Sequence, residues 1–184
     1  AEGLRTARDN HCDLFIHLGD VFHRIEVSAE CRNLVIATLA ADENGDPWPF
    51  EKYTIVGNHD IDHNIQNLKR SSLASLIKSG LLRCVDDIPE YRIGFGHFRE
   101  SLEQEMKDGY CAEGNNLIWA VHANVTVDDF FESANYIKFS DTPLNDECKL
   151  LVAGHIHFPL SQKREDGKQF INPGSVSRRE AISE

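Results

Sequence analysis

Four short apolar runs in the sequence each stop at residues able to hold a metal ion: Leu18-Gly19-Asp20, Gly57-Asn58-His59-Asp60, Val121-His122-Ala123-Asn124 and Gly154-His155-Ile156-His157. The runs before them are Asp13 to His17, Tyr53 to Val56, Leu117 to Ala120 and Leu150 to Ala153. They are short and mostly β-branched or aromatic, as buried strands are. Side chains delivered just past the carboxyl ends of such strands collect on one rim of a sheet, where α/β proteins bind their substrates. Carboxylate, amide oxygen and imidazole together suit Mn²⁺, Fe or Zn²⁺, and no thiolate set favours a structural zinc. Taken singly, Asp20 reads as an ordinary turn carboxylate and His122 as a core histidine. As an ordered set at strand ends they read as a metal site.

At these residues the chain resembles the calcineurin-like metallophosphoesterases. That superfamily carries D-x-H, then G-D, G-N-H-[DE], a single His and G-H-x-H, and the last four elements stand here in order. The pairing of G-N-H-D with a distant G-H-I-H is the specific part of the match. The resemblance implies that Asp20 bridges two metals, that Asn58, His122 and His155 complete the second metal's ligands, and that His157 ligates the first. It makes His59 the general acid for the leaving oxygen, with Asp60 orienting it or raising its basicity. The implied cofactors are two divalent ions, Mn, Fe or Zn. The implied reaction is hydrolysis of a phosphoester by a water activated between them.

No D-x-H precedes Asp20; the upstream acids Glu2, Asp9 and Asp13 have no His two places on. The expectation is therefore a chain that begins inside the first β-α unit and lacks the first strand. Such a fragment would keep about one ion, with little activity of its own. His23, three places past Asp20, reads either as a substrate contact or as a solvated loop residue. His17 reads as a buried, hydrogen-bonded histidine, and His11, His63 and His97 carry no spacing that demands a role. Asn172-Pro173-Gly174-Ser175 reads as a tight turn between strands.

The elements that must position these residues alternate. Helices are expected to about Asn10, over Ala29 to Asn44, Asn67 to Ser79 and Glu100 to Asp108, the third ending at Gly80. Leu81 to Val85 and Tyr91 to Phe95 read as further strands. After His157 the pattern shifts to a hairpin, Phe158 to Lys163 and Gln169 to Ile171, joined at Glu165-Asp166-Gly167. The fold class is α/β, and the resemblance implies a four-layer α/β/β/α sandwich of two mixed sheets flanked by helices. Residues 1–184 are expected to form a single domain, a size sufficient for a sizeable core. Ser133 to Glu147, the least regular stretch, reads as a lid or substrate loop.

Five scattered cysteines, an odd number with no C-x-x-C, argue for a reducing cytoplasm and against a disulfide framework. No apolar run is long enough to span a membrane, and the oligomeric state is not legible. A net charge of −11 gives no general pull on nucleic acid, and basic pairs occur only at Lys69-Arg70, Lys163-Arg164 and Arg178-Arg179. Yet the His in Gly57-Asn58-His59 is more similar to SbcD-like DNA repair exonucleases and phage-type phosphoesterases than to small phosphodiesterases with G-N-C-D. The expected substrate is a phosphoester, with a phosphodiester or nucleic-acid end foremost. The alternatives are a phosphomonoesterase acting on a nucleotide or phosphoprotein, and an inactive scaffold of the same fold.

Overall fold

The computed structural model describes residues 2–61, 68–128 and 136–175. It divides into two compact units, Ala1–Asp86 and Asp87–Glu184. His63 and the Arg178-Arg179 pair lie outside the described residues.

The first unit opens with α1 (Glu2–Asp9), which buries Leu4 and Ala7, three positions apart on one helical face. Strand β1 (Leu14–His17) follows, and α2 (Ala29–Ala40) starts where Ser28 accepts the Cys31 N–H at 3.2 Å. That helix is shorter than expected. Asp42 Oδ1 takes the N–H groups of Asn44 and Asp46, so the side chain offers the backbone a loop in place of another helical turn. Strand β2 (Glu51–Thr54) runs parallel to β1 with His17 opposite Thr54, and the Ile55 N–H extends the ladder to the His17 carbonyl. His17 is half-buried rather than buried.

Asn67 is undescribed; beyond it a 3₁₀ turn over Leu68–Arg70 leads to α3 (Ser72–Lys78), capped by Ser71 Oγ. The expected strand at Leu81 to Val85 shrinks to one bridge, Tyr53 with Arg83. The N–H groups of Leu81 and Leu82 return instead to the Leu76 carbonyl and close the end of α3. Leu4, Phe22, Leu39, Trp48, Phe50 and Leu76 are among the side chains that form this unit's core.

The second unit is built on a six-stranded mixed sheet. Its strands are β3 (Asp87–Ile88), β4 (Ile93–Gly96), β5 (Ile118–His122), β8 (Leu150–Gly154), β9 (Leu160–Lys163) and β10 (Gln169–Asn172), in spatial order β3-β4-β5-β8-β10-β9. The four inner strands are parallel and the two edge strands antiparallel. The carboxyl ends of β4, β5, β8 and β10 therefore share one edge. Helix α4 (Leu102–Lys107) buries Leu102 and Met106 in a core with Trp119, Val121, Leu151 and Phe170. The fold is thus mixed α/β.

A small parallel pair joins β6 (Val125–Thr126) to β7 (Ile137–Lys138), and β7 lies within the segment expected to act as a lid. Residues 133–135 are outside the description, but Ile137, Phe139 and Thr142 are buried. The Phe139 ring stacks on Phe170 with centroids 5.4 Å apart. Ile137, Phe139 and Thr142 thus tie this stretch to the core, while Ser140 and Asp141 between them are exposed. The hairpin turn forms as expected: Gly167 takes φ +86°, and the Arg164 N–H donates to the Lys168 carbonyl. Among the described residues no helix is long and apolar enough to cross a membrane.

Candidate functional site

In the first unit, the loops after β1 and β2 are tied together by two carboxylates. Asp20 sits in the left-handed region at φ +55°, a conformation that a short polar side chain tolerates. Its Oδ1 accepts the His59 N–H at 2.9 Å. Asp60, 1% exposed, answers from the other loop: its Oδ2 accepts the N–H groups of Asp20 at 2.8 Å and Gly57 at 2.9 Å. Charge-assisted bonds of this kind are stronger than those between neutral groups. They explain Gly57, because a Cβ there would lie 2.1 Å from Asp20 Oδ1 and 2.4 Å from Asp20 N. Asn58 and His59 are half-buried on the turn, and the His59 ring lies against that of exposed His23, centroids 4.6 Å apart.

In the second unit, His122 is the last residue of β5 and 1% exposed. The register sets it opposite Gly154, the final residue of β8, so His155 emerges beside it. His155 takes φ +89°, an uncommon backbone for a residue with a Cβ. Its Nδ1 lies 3.1 Å from His122 Nε2. Strain at a residue bearing such a side chain is typical of functional positions.

His157 is exposed and enters the loop through its carbonyl, which accepts the Ser175 N–H at 2.9 Å. The Asn172 to Ser175 segment therefore clasps the histidine loop, beyond acting as a turn. Asn172 Oδ1 accepts the Gly174 N–H at 2.8 Å. Gly174, at φ +77°, packs so closely that a Cβ would sit 3.1 Å from the His157 carbonyl oxygen.

These groups suit a divalent cation. In the second unit, His122 and His155 can each offer one ring nitrogen to an ion. Two imidazole nitrogens on a tetrahedral ion stand about 3.3 Å apart, given nitrogen-to-metal distances of about 2.0–2.1 Å. The 3.1 Å between His122 Nε2 and His155 Nδ1 is close to that spacing.

A family model described as calcineurin-like phosphoesterase matches residues 2–171, a stretch that includes all four strand-end clusters. The chain belongs to the calcineurin-like phosphoesterase family. Members of that family generally bind divalent metals, and the donor set of this calcineurin-like phosphoesterase chain is of the matching kind. Comparison with curated proteins found no match.

Sequence reasoning passed over two residues of the second unit. Phe98 lies two places past the carboxyl end of β4, and its ring packs against both histidines, with centroids 6.1 Å from His122 and 6.4 Å from His155. The signal was available: Gly96-His97 closes an apolar strand as the other clusters do. Glu103, 5% exposed on α4, accepts the Asn124 N–H at 3.1 Å and so holds the chain two residues past His122. A lone acid in a helix carried no such signal.

Proposed function

We propose that the chain hydrolyses phosphoester bonds in a metal-dependent reaction, with a phosphodiester or a nucleic-acid end as substrate. The observation that carries this reading is the approach of His122 Nε2 to His155 Nδ1, at 3.1 Å, within the stretch that the family model matches. The ligand set implied by the family, placed on this sequence, is Asp20, Asn58, His122, His155 and His157. Two divalent ions held there, Mn, Fe or Zn, would offset phosphate charge and bring the attacking water's pKa toward neutrality.

The chain's own residues then have distinct tasks. The Asp20 carboxylate, turned by a left-handed backbone and bonded to the His59 amide, is held in one orientation. His59 donates a proton to the leaving oxygen. The His23 ring, packed beside it, restricts its rotation. Asp60 acts on His59 through the loop backbone that it fixes at Asp20 and Gly57. We read residues 1–184 as one metallophosphoesterase domain, since the family match runs through both compact units. All five cysteines are free, which supports a reducing, cytoplasmic setting.

Turnover of bis(p-nitrophenyl) phosphate and p-nitrophenyl phosphate by the active, two-ion enzyme, measured with Mn²⁺ and again with a chelator, tests the reading. Diester turnover that requires Mn²⁺ is the expected result. Faster monoester turnover would move the assignment to a phosphomonoesterase. Mn²⁺ binding with no turnover of either substrate would favour a scaffold.

A further inference from the structure

The Phe98 ring lies nearly parallel to that of His155, at an interplanar angle of 19°, and nearly perpendicular to that of His122, at 86°. The two histidine rings are themselves tilted by 75°, with centroids 4.9 Å apart. Three rings thus fix one another's planes, and the plane of an imidazole decides where its nitrogen lone pair points.

Phe98 is itself anchored. The neighbouring Arg99 pairs with Glu105 on α4, lies over the Tyr110 ring at 4.7 Å, and donates to the His97 carbonyl at 3.3 Å. A guanidinium held by a carboxylate and stacked on an aromatic face has little freedom. The backbone that carries Phe98 is therefore pinned to the covering helix, independently of the histidine loop.

We propose that Phe98 is a positioning residue for metal binding: its ring sets the planes of His122 and His155 so that Nε2 of one and Nδ1 of the other aim at one divalent cation. The inference rests on the metal-site reading above. A ring that touches ligands without ligating acts as outer-shell groups do, and loss of such a partner lowers metal affinity by about 10- to 100-fold.

The test is calorimetric titration of the full chain with Mn²⁺, alongside long-range ¹H–¹⁵N spectra of the histidine rings without metal. Phe98→Ala should bind Mn²⁺ about 10- to 100-fold more weakly than the parent. Phe98→Tyr, which keeps the ring, should restore binding. Phe98→Leu, which fills much of the space without a flat face, should melt near the parent yet still bind weakly. In the metal-free spectra, Phe98→Leu should move the His122 and His155 nitrogens toward the average of their two tautomers, a change that general loosening of a core would not confine to those rings. Should Phe98→Ala fail to fold, Phe98→Leu decides.

Parental affinity and unchanged imidazole signals in Phe98→Leu would overturn the inference while leaving the metal site standing, provided His155→Ala abolishes binding. If the parent takes up no Mn²⁺, or His122→Ala and His155→Ala bind it as the parent does, the metal-site reading fails and the inference with it.

Discussion

The backbone N–H of Asp20 donates to Oδ2 of Asp60 at 2.8 Å, joining residues 40 positions apart. The bond is one half of an exchange, since the Asp20 carboxylate accepts the amide of His59, next to Asp60 in the chain. Each loop thus fixes the other.

This exchange predicts a graded response at Asp60. In Asp60→Ala the amides of Asp20 and Gly57 lose their acceptor, at about 1–3 kcal/mol for the buried Gly57 amide and less for the half-buried one of Asp20. Asp60→Asn retains a carbonyl oxygen and should lose much less. Urea unfolding of the two variants measures the difference, and equal losses would show that amide pairing is not what Asp60 contributes.

Gly57→Ala should be damaging despite the small change, because the added carbon would meet Asp20 2.1 Å from Oδ1. Relief requires backbone movement, at about 1–3 kcal/mol for overpacking of this kind. It also shifts Asp20, so Mn²⁺ affinity should fall together with the melting temperature. A variant as stable and as tightly binding as the parent would contradict the close approach.

His59→Ala should impair chemistry far more than metal uptake. In the active enzyme we expect a loss of about 10²–10⁴-fold on esters with poor leaving groups. Activated aryl esters, whose leaving oxygen needs no proton, should lose much less. Comparable losses on both would remove His59 from the role of general acid.

The proposed ligands should separate by the number of ions affected. Asp20→Asn removes a charge that both ions would share, so uptake of both should weaken, whereas His122→Ala should weaken chiefly one. Calorimetric titrations indistinguishable from the parent for both variants would refute the ligand map.

The β9–β10 turn predicts a pH effect. Hydrogen bonding from Arg164, helped by the Lys168 amide and ammonium, lowers the Asp166 carboxyl from its ordinary 3.8 to about 2. A carboxyl depressed in the folded state adds stability above its unfolded pKa and loses it as pH falls through the folded value. The melting-temperature gap between the parent and Asp166→Asn should be constant above about pH 5 and close between about pH 4 and about pH 2. A gap unchanged down to pH 2 would show that the pairing does not hold in solution.

Much of the site was legible in the sequence because its signals are local. A strand ends where an apolar run meets Gly and polar residues, and a helix begins where Ser28 can cap it, so the four clusters could be placed at strand ends from the residues alone. Glu165-Asp166-Gly167 announced its turn for the same reason: Gly167 takes the positive φ that the turn needs. Local patterns did not settle competition between partners distant in sequence. Helix α2 stops at Ala40 because the Asp42 side chain captures two amides, and Leu81 to Val85 yields one bridge because two of its amides close α3.

The tertiary structure alone decided which side chains meet. His122 and His155 face each other because β5 and β8, about thirty residues apart, pair in a register that sets His122 against Gly154. Asp60 reaches Asp20, 40 positions earlier, through a pairing of two loops that its place in Gly57-Asn58-His59-Asp60 does not encode. Phe98 joins the histidines only once the parallel order β4-β5-β8 brings three strand ends to one edge. Residue types and their short spacings carry the chemistry. Strand register and order are set by long-range hydrogen bonding and shared burial, which no short stretch of sequence specifies.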